Sequence, residues 1–77
     1  MVEKAEQALI DIGFRQLRVR IHGDNLARIE VMPSELQRLL SIRETVIKKI
    51  RDAGFVYVTM DLQGYRTGAM NEVIKLV

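Results

Sequence analysis

Along the first twelve positions the apolar residues Val2, Ala5, Ala8, Leu9 and Ile12 recur at the spacing of one helix face, and Gly13 follows as a left-handed stop. A first helix ends there. From Arg15 to His22 the period changes to two, with Leu17, Val19 and Ile21 on one side and Arg18, Arg20 and His22 on the other. Ala27 to Val31 alternates in the same way, which predicts a second strand. For both apolar sets to share a side, paired residue numbers must sum to an even value, so the turn must hold an odd number of residues. Gly23-Asp24-Asn25 fits as a three-residue loop.

Pro33 suits a first helical turn, and Leu36, Leu39 and Leu40 point inward from a short helix. Ser41 is placed to cap a further helix, "IRETVIKKIRDAG", whose Ile42, Val46, Ile47 and Ile50 share a face and which Gly54 stops. "FVYVTMDLQ" predicts a third strand with Val56, Val58, Met60 and Leu62 to one side. Met70, Val73, Ile74 and Val77 return to helical spacing, so a short terminal helix is expected. The expected fold is α+β, a two-layer sandwich with helices on one face of a small, mainly antiparallel sheet. Its order is αββααβ plus a short C-terminal helix, related to ferredoxin-like arrangements.

A repeat runs through this layout at an offset of 41 residues. "DIGF" at 11–14 matches "DAGF" at 52–55, and Leu17, Val19, Ile21 and Gly23 align with Val58, Met60, Leu62 and Gly64. Two readings stand: a duplicated helix-strand unit, or a common local solution that recurs by chance. The fold expectation is the same under both.

Composition narrows the chemistry. One domain is expected from 77 residues, a size that buries only about 60% of its unfolded surface. There is no cysteine and one histidine, so disulfides, thiolate chemistry and a zinc cluster are all disfavoured. No apolar run approaches the ~20 residues of a membrane span, and the start is acidic and amphipathic rather than a secretory signal. A cytoplasmic chain without membrane partners is expected. The net charge of +2 is too small to argue for nucleic acid by itself, so any basic site must be local.

The even register supplies such a site, because it sets Arg18 opposite Glu30 and Arg20 opposite Arg28 on the polar face. Like charges directly opposite are destabilising by roughly 0.2–1 kcal/mol, and an anion between the two guanidinium forks would reverse that. The alternative is a solvated face, with the arginine stems shielding the sheet and their heads in water. His22, at the strand end, reads as a surface residue or a supporting ligand, and Glu30 as an organiser of Arg18. A second feature points toward anions: "GYRTGAMNE", 64–72, leaves a strand, passes two glycines around Arg66 and enters the expected helix. In the plainer reading those glycines only permit positive φ, and Tyr65 only covers the sheet edge.

The stretches "GFRQLRVRIHGDNLARIEV" and "AGFVYVTMDLQGYRTGAMNEV", with the helix between them, resemble the C-terminal domain of the LarE-type ATP-dependent sacrificial sulfur transferases of the PP-loop ATP pyrophosphatase superfamily. The resemblance implies a parent enzyme that adenylylates pyridinium biscarboxylic acid mononucleotide with ATP and magnesium. It then transfers sulfur from one of its own cysteines toward a nickel-pincer cofactor. It also implies that Arg18, Arg20 and Arg66 hold the substrate's phosphate, and His22, Asp24, Glu30 and Tyr65 match the family pattern as well. The possible supporting residues are His22, Glu30, Tyr65 and, from the register, Arg28, and no metal ligand is expected. The departures are as informative. The "SGGxDS" ATP loop and the sacrificial cysteine are missing, Ile21 stands where the family has a second histidine, and "SGSMN" reads "TGAMN".

The expected function is therefore a phosphate- or nucleotide-binding accessory domain spanning 1–77, without catalytic residues of its own. ATP and magnesium would belong to the missing PP-loop domain. The expected partners are a mononucleotide, that ATPase domain and further copies of the chain. Two rivals remain. One is a dimerisation domain like that of GMP synthetases; the other is a ferredoxin-like RNA-binding module, disfavoured because the polar sheet face offers only Tyr57 for base stacking.

Overall fold

The computed structural model describes residues 1–66. The elements are α1 (Val2–Ile12), β1 (Leu17–His22), β2 (Leu26–Val31), a 3-10 turn (Pro33–Glu35), α2 (Leu36–Ser41), α3 (Arg43–Asp52) and β3 (Tyr57–Met60). The helix expected in the tail lies outside the described residues. Helix α1 begins and ends where its apolar face and Gly13 predict, and the β1–β2 turn is the three-residue loop that parity requires.

The sheet order is β1-β2-β3. Strands β1 and β2 pair antiparallel, with Leu17, Val19 and Ile21 opposite Val31, Ile29 and Ala27. Strand β3 joins β2 in parallel, with Val58 beside Ala27 and Met60 beside Ile29. A parallel neighbour needs a crossover of a dozen or more residues, which α2 and α3 provide. The expected two-layer α+β arrangement is thus present, and its sheet is mixed: one ladder runs antiparallel and one parallel.

Val19, Ala27, Ile29 and Val31 form the sheet's side of the core, and Ala5, Leu9, Leu39, Val46 and Ile50 the helical side. Phe14 and Phe55 are both buried at the helix-to-strand passages. The 41-residue repeat is carried into three dimensions. Leu9 and Ile50 are equivalent and fully buried; the following phenylalanines donate their N–H groups back to them, Phe14 to Leu9 O at 3.1 Å and Phe55 to Ile50 O at 3.4 Å. Among the described residues the positive-φ glycines are Gly13 and Gly54, then Gly23 and Gly64. Each pair is separated by the same offset. Because β1 and β3 flank β2 and run opposite to each other, the two helix-strand units are related by an approximate two-fold through the middle strand.

Local chemistry departs from the pattern in several places, and Leu40 and Val56, both expected on the inner side, are 56% and 50% exposed. Ser41 does not cap α3; its hydroxyl donates to Arg38 O within α2, and α3 starts from Ile42 without a side-chain cap. The third strand ends at Met60, so Leu62 sits in a turn and is 77% exposed rather than on the core side. Arg38 clasps the end of α1: its Nη2 donates to Ile12 O at 2.7 Å, and its guanidinium lies 4.4 Å from the centre of the Phe14 ring. That placement satisfies a helix-end carbonyl and adds a cation–π contact.

Candidate anion-binding site

The face of the sheet away from the helices is built by alternation. It carries Arg18, Arg20 and His22 from β1, Leu26, Arg28 and Glu30 from β2, and Tyr57, Thr59 and then Asp61 from β3 and its continuation. Arg20 stands opposite Arg28 and Arg18 opposite Glu30, as the loop parity requires. The side chains then arrange differently from the expected Arg18–Glu30 pair. Glu30 is only 2% exposed and lies between the other two arginines: its Oε2 accepts from Arg28 Nη2 at 3.1 Å and lies 3.6 Å from Arg20 Nε. Arg28 Nε is also 3.7 Å from Asp61 Oδ2. The anion that reverses the Arg20–Arg28 repulsion is the protein's own carboxylate.

This leaves Arg18 in a different position from its neighbours. It is exposed and has no ion pair among the described residues, while Arg20 and Arg28 are each held at one edge by Glu30. Glu30 Oε1 is buried and accepts no hydrogen bond among the described residues. A buried carboxylate oxygen without a donor is costly, so this end of the face has an unspent acceptor beside guanidinium groups.

The "GYR" loop comes to the same end of the sheet. Tyr65 N donates to Val31 O at 2.6 Å, one residue beyond Glu30, and Arg66 Nη2 donates to Gln63 Oε1 at 2.8 Å. Gly64 makes this possible: at φ +82, a Cβ on it would stand 2.7 Å from Val31 O and 3.2 Å from the Pro33 ring. Half-buried Tyr65 lies in the same loop, whereas His22 and Asp24 are exposed at the far turn. The backbone therefore gathers Arg18, Glu30 and Arg66 toward one end of the polar face and leaves His22 at the other. The remainder of the "GYRTGAMNE" stretch, from Thr67, lies outside the described residues.

Asp61 joins the face because parity continues the polar side of β3 from Tyr57 and Thr59 to it. Among the described residues no three His, Asp or Glu side chains come close enough to hold a metal ion. No described helix is long and apolar enough to cross a membrane.

A small α+β domain with a guanidinium-lined sheet face is the class that fold and site define. No family model matches the chain. Over 73 residues, 95% of its length, it is 40% identical to the pyridinium-3,5-bisthiocarboxylic acid mononucleotide synthase of Lactiplantibacillus plantarum. It is 41% identical over 76 residues to an uncharacterized protein of Synechocystis. The chain spans about a quarter of the length of these relatives, 26% and 28%. It is homologous to a domain-sized part of the LarE-type proteins, in keeping with the resemblance read from its motifs.

Proposed function

We propose that this domain holds the phosphate of a mononucleotide for an ATP-dependent sulfur transferase of the LarE type, with no catalysis of its own. Arg18 would make the leading contact, with Arg20, Arg28 and Arg66 around it and Glu30 fixing the Arg20 and Arg28 forks. The observation that carries this reading is the asymmetry of the face. A buried Glu30 orders two arginines and leaves Arg18, exposed and without an ion pair among the described residues, at the end where the Arg66 loop arrives. Guanidinium suits phosphate because its planar fork donates two hydrogen bonds at once. Adenylylation and sulfur transfer would belong to a PP-loop ATPase domain acting as partner. An RNA-binding role is less well supported, since β1–β3 place no aromatic ring on this face besides Tyr57 and the terminal His22.

Titration with nicotinic acid mononucleotide, followed by amide chemical shifts, tests the reading. Saturable shifts at Arg18, Glu30 and Gly64 to Arg66 are expected. Arg18→Ala should weaken binding about tenfold, the low end of a charge-assisted contact, with an unchanged melting curve. Equal affinity in Arg18→Ala, or silence toward both the mononucleotide and inorganic phosphate, would remove the proposal.

A further inference from the structure

The two edges of the sheet are equivalent by the repeat and finished differently. On the outer edge of β1, the N–H of Val19 donates to Glu6 Oε2 of α1 at 2.9 Å, so a side chain closes that edge. Advancing both residues by 41 gives Ile47 and Met60, and an isoleucine cannot accept a hydrogen bond. These two line a mostly apolar groove with Leu39, Leu40, Val46 and Val58. Its volume of about 230 Å³ is several times the ~30 Å³ share of one water, so it has room for side chains. No strand pairs with the outer edge of β3 among the described residues, and β3 contains neither a charge nor a proline to protect it. Folded proteins cover such an edge with a helix or a loop.

We infer that the groove is covered by the chain's own segment after Arg66, which turns back along β3 and seats Met70, Val73, Ile74 and Val77 against Leu40, Ile47 and Met60. Three observations select this occupant. The first is where the described chain stops. Asp61 N bonds Ile29 O and Tyr65 N bonds Val31 O, so the backbone follows β2 past the end of β3 and arrives beside Pro33, at the start of the segment that carries Leu39 and Leu40. A reversal there returns it along the open edge, and Thr67-Gly68 supplies turn-forming residues. The second is length. As a helix the nine residues 69–77 extend about 14 Å at 1.5 Å per residue, and the four residues of β3 extend about 13 Å at 3.3 Å each. The third is pattern: the four apolar residues fall at i, i+3, i+4 and i+7, one helix face. A helix this short is marginal in water and gains its stability by packing that face. A tethered segment also reaches the groove at a high effective concentration, which an untethered partner does not. The inference is independent of the phosphate site, which occupies the opposite face.

The absence of native cysteine makes disulfide trapping in the 77-residue chain a clean test. Leu40→Cys combined with Ile74→Cys should close a disulfide within one chain under mild oxidation, read by mass and by mobility on a non-reducing gel. Leu40 is exposed among the described residues, so the fold tolerates its replacement. Ile10→Cys with Ile74→Cys is the control, since Ile10 is equally exposed on α1 and lies outside the groove. Equal yields from the two pairs, or a disulfide formed only between chains, would overturn the inference. A second readout uses the Leu40→Cys chain alone. Adding Ile74→Asp should speed alkylation of its thiol by a maleimide about tenfold, because a charged residue no longer seats over the groove. An unchanged alkylation rate would overturn the inference even if the double-cysteine chain failed to fold.

Discussion

The first helix-strand unit and the second share a scaffold and have diverged in what they present. Both have a buried aliphatic residue, a left-handed glycine and a buried phenylalanine at equivalent positions. Yet the first unit's strand bears Arg18 and Arg20 and is closed at its edge by Glu6, whereas the second has Thr59 and Asp61 at those positions and ends in a mostly apolar groove that Arg43 also lines. The shared residues are those whose burial or backbone angle the fold requires. The divergent ones project from the sheet or from its rim, where a substitution changes chemistry at little cost to packing.

That division can be tested from its strongest point downward. Gly64 and Gly23 are equivalent in the repeat, but a Cβ on Gly64 would meet Val31 O while one on Gly23 meets nothing within 4 Å. Gly64→Ala should cost about 3 kcal/mol, the left-handed penalty plus overpacking, and Gly23→Ala only about 1 kcal/mol. Urea unfolding of both variants checks this, and equal losses would mean the Gly64 loop can move off the end of β2. Next comes Glu30→Ala, which leaves Arg20 facing Arg28 across the ladder. A loss of about 2–3 kcal/mol is expected, below the range for a fully buried pair because both arginines reach water. Glu30→Gln should recover part of that loss, since an amide oxygen still accepts from Arg28 Nη2. Smallest is Glu6→Ala, about 1 kcal/mol for one part-buried hydrogen bond. It should show in thermal melts and, if edge closure is its role, also as new self-association.

Much of the fold was legible because it depends on period and parity. The bounds of α1, the three-residue turn and the whole β1–β2 register follow from alternation and from one glycine. Where the sequence misled, the deciding interaction was local competition or distance. Alternation carries through Leu62, but the chain turns after Met60, and no periodicity signals where a strand gives way to a turn. Ser41 had a choice of partners and took the carbonyl of Arg38. The pairing of β3 with β2 could not be read from either strand alone, since direction is set by the helical crossover between them. At the candidate site, register correctly set Arg20 against Arg28 but did not show which neighbour Glu30 would choose. Two residues along one strand share a face as surely as two residues across a ladder, and Arg28 is the nearer fork.

The middle strand belongs to neither unit, yet Ala27, Ile29, Glu30 and Val31 are all buried and both units are built against it. In hydrogen–deuterium exchange its amides should be the last to label, opening only when the whole domain unfolds. Their rates then give the global unfolding free energy without denaturant.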